Sequence, residues 1–127
     1  MHHSHIQTPT GPTWPHEASG YVVRRPGGPT LSFTGDTGIF GVMALIREIY
    51  RPDLAALPLG DHHTIGPGDA AHAIRLLGVP RALPFHSGLM PTLTGTPEAL
   101  REATRKLPNL QVHAQPGETL SPKGLKA

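Results

Sequence analysis

Segments with the apolar spacing of a helix alternate along this chain with short apolar runs bounded by glycine or proline. The run 53–59, Asp-Leu-Ala-Ala-Leu-Pro-Leu, lies between Pro52 and Gly60 and is typical of a strand that is buried on both faces. The preceding segment, 41–50, places four apolar residues on one predicted helix face: Val42, Leu45, Ile46 and Ile49. This alternation favours an α/β fold in which helices cover a parallel sheet.

The same pattern recurs toward the carboxyl terminus, and a hairpin precedes it. Turn-forming Pro26-Gly27-Gly28-Pro29 separates two strand-like runs. Thr96-Pro97-Glu98 combines a hydroxyl cap, a proline at the first helical position and an acid in the first turn. The predicted strands are 21–25, 30–34, 53–59, 81–85 and 110–113, and the predicted helices are 41–50, 67–77 and 97–106. Residues 6–19, rich in Pro, Thr and Gly, are predicted to be a loop.

Length and composition exclude several classes of protein. A chain of 127 residues makes one domain. The formal net charge of +2 is small, and the basic residues are scattered without interleaved aromatic side chains, which argues against a nucleic-acid-binding surface. No apolar run has the length of a membrane span, and no signal-peptide core follows Met1, so we expect a cytoplasmic protein. The absence of cysteine excludes disulfides and thiolate ligands.

Three ionisable side chains follow the carboxyl ends of predicted strands. Asp36 follows the second strand of the hairpin, Asp61 follows the buried run 53–59, and His86 follows the strand 81–85. In open α/β sheets ligands bind at this edge, and imidazole and carboxylate groups there suit a divalent metal. The alternatives are a turn aspartate that caps the next helix, for Asp36, and a half-buried imidazole bonded to backbone, for His86.

The remaining histidines are weaker candidates. His62 and His63 are adjacent, so at most one of them is expected to face a shared site, and Asp61 is a candidate for orienting a ligand histidine. His72 is expected to face solvent from a helix, and neither His16 nor His113 has a partner pattern. The opening Met1-His2-His3-Ser4-His5 offers a further cluster of imidazoles.

Several blocks of the chain carry a specific resemblance. They are TGDTG at 34–38, LPLGDHHTIGP at 57–67, DAA at 69–71, LPFH at 83–86, PTLTGTPE at 91–98 and QPGET at 115–119. In this order and spacing, they resemble the metal-dependent hydrolase branch of the metallo-β-lactamase superfamily, near the ascorbate-6-phosphate lactonase group. The resemblance extends over nearly the whole chain.

The resemblance implies a fold and a ligand set. The superfamily fold is a four-layer αββα sandwich, of which residues 1–127 resemble the C-terminal half, with a loop over 1–19 and a sheet with helices over 20–120. Asp36 resembles the aspartate that bridges two metal ions and is thereby implied to be catalytic. His86 resembles the last histidine ligand, and His3 resembles the histidine of the family's His-Ser block, a role that His2 or His5 could also take. One or two divalent ions are implied, zinc first, with manganese or iron as alternatives.

The chain also departs from the family pattern. The family's His-x-His-x-Asp-His motif is absent and is expected upstream of residue 1, while Ser87 stands where the family usually has tyrosine. The implied activity is hydrolysis of a small-molecule ester, lactone, amide or phosphoester by metal-activated water. Because part of the ligand set is missing, we expect the chain to need an N-terminal half or an oligomeric partner. The alternative is a non-catalytic fragment or interaction half-domain.

Overall fold

The computed structural model describes residues 19–61, 64–88 and 93–121, and the backbone of four two-residue strands before them. The strands are β1 (His3–Ser4), β2 (Gln7–Thr8), β3 (Gly11–Pro12), β4 (His16–Glu17), β5 (Tyr21–Arg24), β6 (Thr30–Phe33), β7 (Leu54–Pro58), β8 (Arg81–Phe85) and β9 (Gln111–Val112). The helices are α1 (Met43–Tyr50), α2 (Pro67–Leu77) and α3 (Pro97–Thr104). The predicted hairpin, helices and strands are all present, with ends that differ by a few residues.

The main sheet has five strands in the order β5-β6-β7-β8-β9. The hairpin strands β5 and β6 are antiparallel, and β6 through β9 are parallel. Phe33 of β6 lies opposite Ala56 of β7, which in turn lies opposite Leu83 of β8. These three residues therefore form one row across the centre of the sheet.

The core lies between one face of this sheet and the three helices. All five residues of β7 are buried, which confirms the prediction of a strand covered on both faces. Ala55 and Leu57 of β7 and Ala82 of β8 point to the same face, because Ala55 pairs with Ala82 and side chains alternate along a strand. They belong to one core cluster with Met43, Ala70, Ala73, Ile74, Leu77 and Leu100 of the helices.

The helix ends follow the predicted signals. Helix α2 begins at Pro67, and the left-handed Gly78 ends it by donating its N–H to the carbonyl of Ile74. The hydroxyl of Thr96 accepts a hydrogen bond of 3.1 Å from the N–H of Ala99, so Thr96 is the N-cap of α3. None of the helices in the described ranges is long and apolar enough to cross a membrane.

Two predictions of the sequence require correction. The segment 6–19 is not wholly a loop, because it contains β2, β3 and β4. Strand β2 pairs antiparallel with β3, and β4 pairs antiparallel with β1.

The four apolar residues predicted to form one face of α1 do not share one environment. Met43 is the residue of α1 that is buried, and Ile46 packs beside it, whereas Val42, Leu45 and Ile49 are exposed, Ile49 to 63%. Helix α1 packs against the core through the side that carries Met43, so most of the apolar face predicted for this helix lies outside the core.

The sheet face opposite the helices is partly uncovered. Tyr21 lies opposite Phe33, so the two side chains share this face, as does Val23 of the same strand. All three are exposed, Tyr21 to 66% and Val23 to 49%. The hairpin therefore presents an apolar surface on the side away from the helices.

Candidate metal centre

The loop that carries Asp36 is fixed by contacts of the backbone after β6. Thr34 continues the pairing beyond the strand by donating its N–H to the carbonyl of Ala56 at 3.1 Å. Gly35 then adopts a φ of +66°, and a methyl group there would collide with the carbonyl oxygen of Ser19. This turn therefore requires a residue without a side chain. The turn directs the next residue, Asp36, toward the end of the sheet.

His86 occupies the equivalent position after β8. Its φ of 54° is left-handed, which is uncommon for a residue other than glycine. The carbonyl of the preceding Phe85 accepts a hydrogen bond of 2.8 Å from the N–H of Leu59. The Phe85 and His86 rings meet edge to face, with centroids 5.0 Å apart and an interplanar angle of 74°. These contacts restrict the direction in which the imidazole points.

Asp36 and His86 meet at the carboxyl edge of the sheet. Nδ1 of His86 lies 3.0 Å from Oδ1 of Asp36, and the two side chains are 50% and 52% exposed. Phe33, Ala56 and Leu83 lie in one row across the sheet. Asp36 comes three positions after Phe33, and His86 comes three positions after Leu83. The sequence placed both residues at strand ends, and the fold brings their side chains into contact while leaving them open to solvent.

The donor set and its spacing fit a divalent metal ion. One imidazole nitrogen and one carboxylate oxygen are ligands that zinc, manganese and iron all accept. Two ligands of one tetrahedral zinc, each about 2.0–2.1 Å from the ion, are separated by about 3.3 Å. The observed 3.0 Å between Nδ1 and Oδ1 is the length of a direct hydrogen bond and is about 0.3 Å short of that value, so a small separation of the two side chains would admit an ion.

The structure does not join Asp61 to this pair. Among residues 19–61, 64–88 and 93–121, no group of three or more His, Asp or Glu side chains could hold a metal ion. The Oδ2 atom of Asp61 instead accepts a hydrogen bond of 3.0 Å from the hydroxyl of Thr94. Its backbone N–H donates to the carbonyl of Ile65 at 3.3 Å. Asp61 therefore ties two loops together at this edge.

The other candidate histidines fall largely outside the described residues. His62 and His63 lie there, as do His2 and His5. His3 is described only through its backbone, which pairs with Glu17 in the contact between β1 and β4. The role of His3 as a ligand thus stays a prediction.

The sequence did not predict the pairing of His113 with Glu118. Nδ1 of His113, just after β9, lies 2.7 Å from Oε1 of Glu118. This hydrogen bond, the largest cause, lowers the pKa of Glu118, and the nearby charge of His113 lowers it further. Nε2 of His113 is buried and has no hydrogen-bond partner among the described atoms. The turn at Pro116-Gly117, which returns the chain toward β9, was the available signal.

Comparison with known proteins defines the family. Residues 1–87 match the family model described as the beta-lactamase superfamily domain. The chain belongs to the metallo-β-lactamase superfamily. The predicted family is thereby confirmed at the level of the superfamily, and the lactonase branch stays a prediction.

Relatives and solved structures of the superfamily agree with this assignment. A metal-dependent hydrolase of Rubrobacter xylanophilus is 47% identical over 94% of this chain and 51% of its own length. One of Chloroflexus aurantiacus is 47% identical over 82% of this chain and 44% of its own length. The solved structure of a metallo hydrolase from the archaeon Ignicoccus hospitalis superposes with a TM-score of 0.75 at 28% identity, covering 93% of this chain and 49% of that chain.

The relatives and solved structures identify the fold of this chain and show how much of a whole family member it covers. The five-stranded sheet with three helices has the metallo-β-lactamase fold, as the resemblance implied. The chain spans about half the length of the curated relatives it matches.

Proposed function

We propose that this chain contributes metal-ligating residues to a metal-dependent hydrolase that acts on a small-molecule ester, lactone, amide or phosphoester. The observation that carries the proposal is the contact between His86 Nδ1 and Asp36 Oδ1, 3.0 Å apart at the carboxyl edge of the sheet. This edge is where open α/β folds bind their ligands. The relatives named metal-dependent hydrolases support the same activity.

In this proposal Asp36 and His86 hold a divalent ion, and His3 supplies a further ligand, with His2 or His5 as alternatives. When bound there, the ion would act as a Lewis acid and would lower the pKa of a water molecule bound to it toward neutrality. Zinc is our first choice, and the donor set also suits manganese or iron. Asp36 contributes a negative oxygen that neutralises part of the ion's charge, and its half-exposed side chain leaves the site open to substrate.

The protein positions these ligands through residues that do not bind the ion. Gly35 permits the tight turn before Asp36, and the edge-to-face contact with the Phe85 ring limits rotation of the His86 imidazole. Restricting the ligands in this way lowers the entropy that they lose when they bind an ion.

The family's His-x-His-x-Asp-His motif is absent from this sequence. A catalytic zinc generally needs three protein ligands, so Asp36, His86 and His3 would not suffice for the two ions that the resemblance implies. We therefore propose that a second protein unit completes the site and covers the apolar face at Tyr21, Val23 and Phe33. A second sheet on that face would remove apolar surface from water, at about 25 cal/mol for each Å². The unit is an N-terminal half of the fold, or a second copy of the chain.

A second candidate function is a non-catalytic half-domain that binds a partner through this exposed face. The same apolar surface favours it, because such patches mark sites of protein association. The two candidates differ in whether Asp36 and His86 bind a metal ion tightly when the partner unit is present.

The test combines the chain with the half of the Rubrobacter xylanophilus relative that it does not match. Zinc affinity and turnover of lactone and phosphoester panels are measured for the mixture and for each part alone. We expect the chain alone to bind zinc weakly and to hydrolyse little. The mixture should bind zinc at least about tenfold more tightly and gain activity, because it completes the ligand set.

Asp36→Ala and His86→Ala should each abolish this gain, because each removes a ligand. Asp69→Ala, an equal change at an exposed position of α2, should leave it intact. Tight complex formation with zinc binding unaffected by Asp36→Ala and His86→Ala would favour the non-catalytic half-domain. Turnover by the chain alone that depends on Asp36 would show that no second unit is needed.

A further inference from the structure

A groove of about 610 Å³ lies at the end of the sheet opposite the metal centre. It is formed where the β5–β6 turn meets the end of α1 and the start of β7, at the amino ends of the parallel strands. Its volume falls in the range of small-molecule sites. A four- or five-residue strand, roughly 15 Å long, separates it from Asp36 and His86, so it is a separate place on the molecule.

Three arginines line this groove: Arg24, Arg25 and Arg51. All three are exposed, and the ion pairs found among the described residues lie elsewhere. The acid in the lining, Asp53, is almost wholly buried and accepts a hydrogen bond of 2.8 Å from the N–H of Thr30. The groove therefore concentrates positive charge in a chain whose formal net charge is only +2.

Arg51 occupies a conformation that glycine normally takes. It is the C-cap of α1, with φ 47° and ψ 61°, and its N–H donates to the carbonyl of Arg47. A left-handed residue at the end of a helix is usually glycine, because a side chain there costs free energy. An arginine held in this conformation beside two others points to a use for its guanidinium group.

We propose that this groove, lined by Arg24, Arg25 and Arg51, binds the phosphate groups of a small soluble phosphorylated molecule. Guanidinium groups bind phosphate through paired hydrogen bonds that match its geometry. The ring of Tyr50, 38% exposed, lies in the same lining and offers an apolar surface to the rest of the ligand. The distribution of charge favours a small molecule over a nucleic acid, since these three basic residues are gathered in one groove and do not form a long stripe.

The test uses inorganic pyrophosphate as the probe and the purified full chain. Its dissociation constant is measured by titration calorimetry for the natural chain, Arg51→Gly and Arg25→Gln, with Arg105→Gln as the control. Arg105 lies after α3 beside Glu102 and is absent from the groove lining, so Arg105→Gln changes the net charge equally elsewhere. Arg51→Gly removes the guanidinium and places glycine in the conformation that it prefers, so this variant should melt no lower than the natural chain.

We expect pyrophosphate to bind the natural chain, and each groove variant to bind at least about tenfold more weakly, as loss of a charged hydrogen bond predicts. Arg105→Gln should bind as the natural chain does. Absence of pyrophosphate binding, or an equal loss in all three variants, would overturn the proposal. If Arg25→Gln fails to fold, Arg51→Gly decides alone. Tighter groove-dependent binding to a single-stranded oligonucleotide or to phosphatidylserine vesicles would assign the groove to those phosphates and also refute a small-molecule site.

Discussion

Replacing Gly35 with alanine should destabilise the chain more than replacing Gly27 in the same way. The two glycines have almost the same backbone conformation, φ +66° for Gly35 and +68° for Gly27. A methyl group at Gly27 has no atom within 4 Å, whereas at Gly35 it would collide with the carbonyl oxygen of Ser19. Comparing the two variants therefore separates the free energy lost to a left-handed alanine from the free energy lost to a backbone collision.

The magnitudes follow from these two terms. A left-handed alanine costs roughly 1–2 kcal/mol, which both variants should lose. The collision at Gly35 forces a backbone shift, and overpacking of this kind costs about 1–3 kcal/mol more. Gly27→Ala should thus lose about 1–2 kcal/mol and Gly35→Ala about 2–5 kcal/mol.

Urea unfolding of the purified chain, followed by circular dichroism, gives both free energies of unfolding. Because Gly35 precedes Asp36, zinc affinity in the two-part mixture should also fall for Gly35→Ala and stay unchanged for Gly27→Ala. Equal losses of stability in the two variants would show that the Ser19 carbonyl moves aside freely. Our account of how the Asp36 loop is fixed would then be wrong.

Two further predictions concern the core and the C-terminal ion pair. Leu57→Ala should lower the free energy of unfolding by about 2–5 kcal/mol because Leu57 is fully buried, whereas Leu45→Ala at a half-exposed site should change it by about 0.5 kcal/mol or less, both measured by urea unfolding. The lowered pKa of Glu118 means that its hydrogen bond with His113 stabilises the fold above the ordinary value of 4.5, and that this contribution disappears as pH falls through the lower folded value. The urea midpoint of Glu118→Gln should therefore lie below that of the natural chain at pH values above 4.5 and approach it in stronger acid, and a difference independent of pH would contradict this.

The order and type of the main elements were predictable because their signals are local. The spacing of apolar residues and the capping residues identified α2 from Pro67 and α3 from Pro97, and the bounded apolar run identified β7. The environment of α1 was not predictable in this way. Apolar spacing shows that Val42, Leu45 and Ile49 share a face, but only packing decides whether another layer covers that face.

In the candidate metal centre, too, some features were predictable from the sequence and others were not. Placement of Asp36 and His86 after parallel strands predicted that they lie at one edge, and their contact follows from the register of those strands. Asp61 satisfied the same rule but turned toward Thr94, because the direction of a side chain after a strand depends on the local turn. The pairing of His113 with Glu118 depends on a turn that places two residues of unlike pattern together.

The central row formed by Phe33, Ala56 and Leu83 has a consequence for engineering. Asp36 follows β6 and His86 follows β8, and β7 pairs with both of these strands. The register of β7 therefore sets the relative height of the two side chains. A shift by one residue would move one of them about 3.3 Å along its strand, more than a metal-ligand bond length. Under the proposed function, selection for altered metal preference could therefore act on the alanines of β7, which lie outside the proposed ligand set.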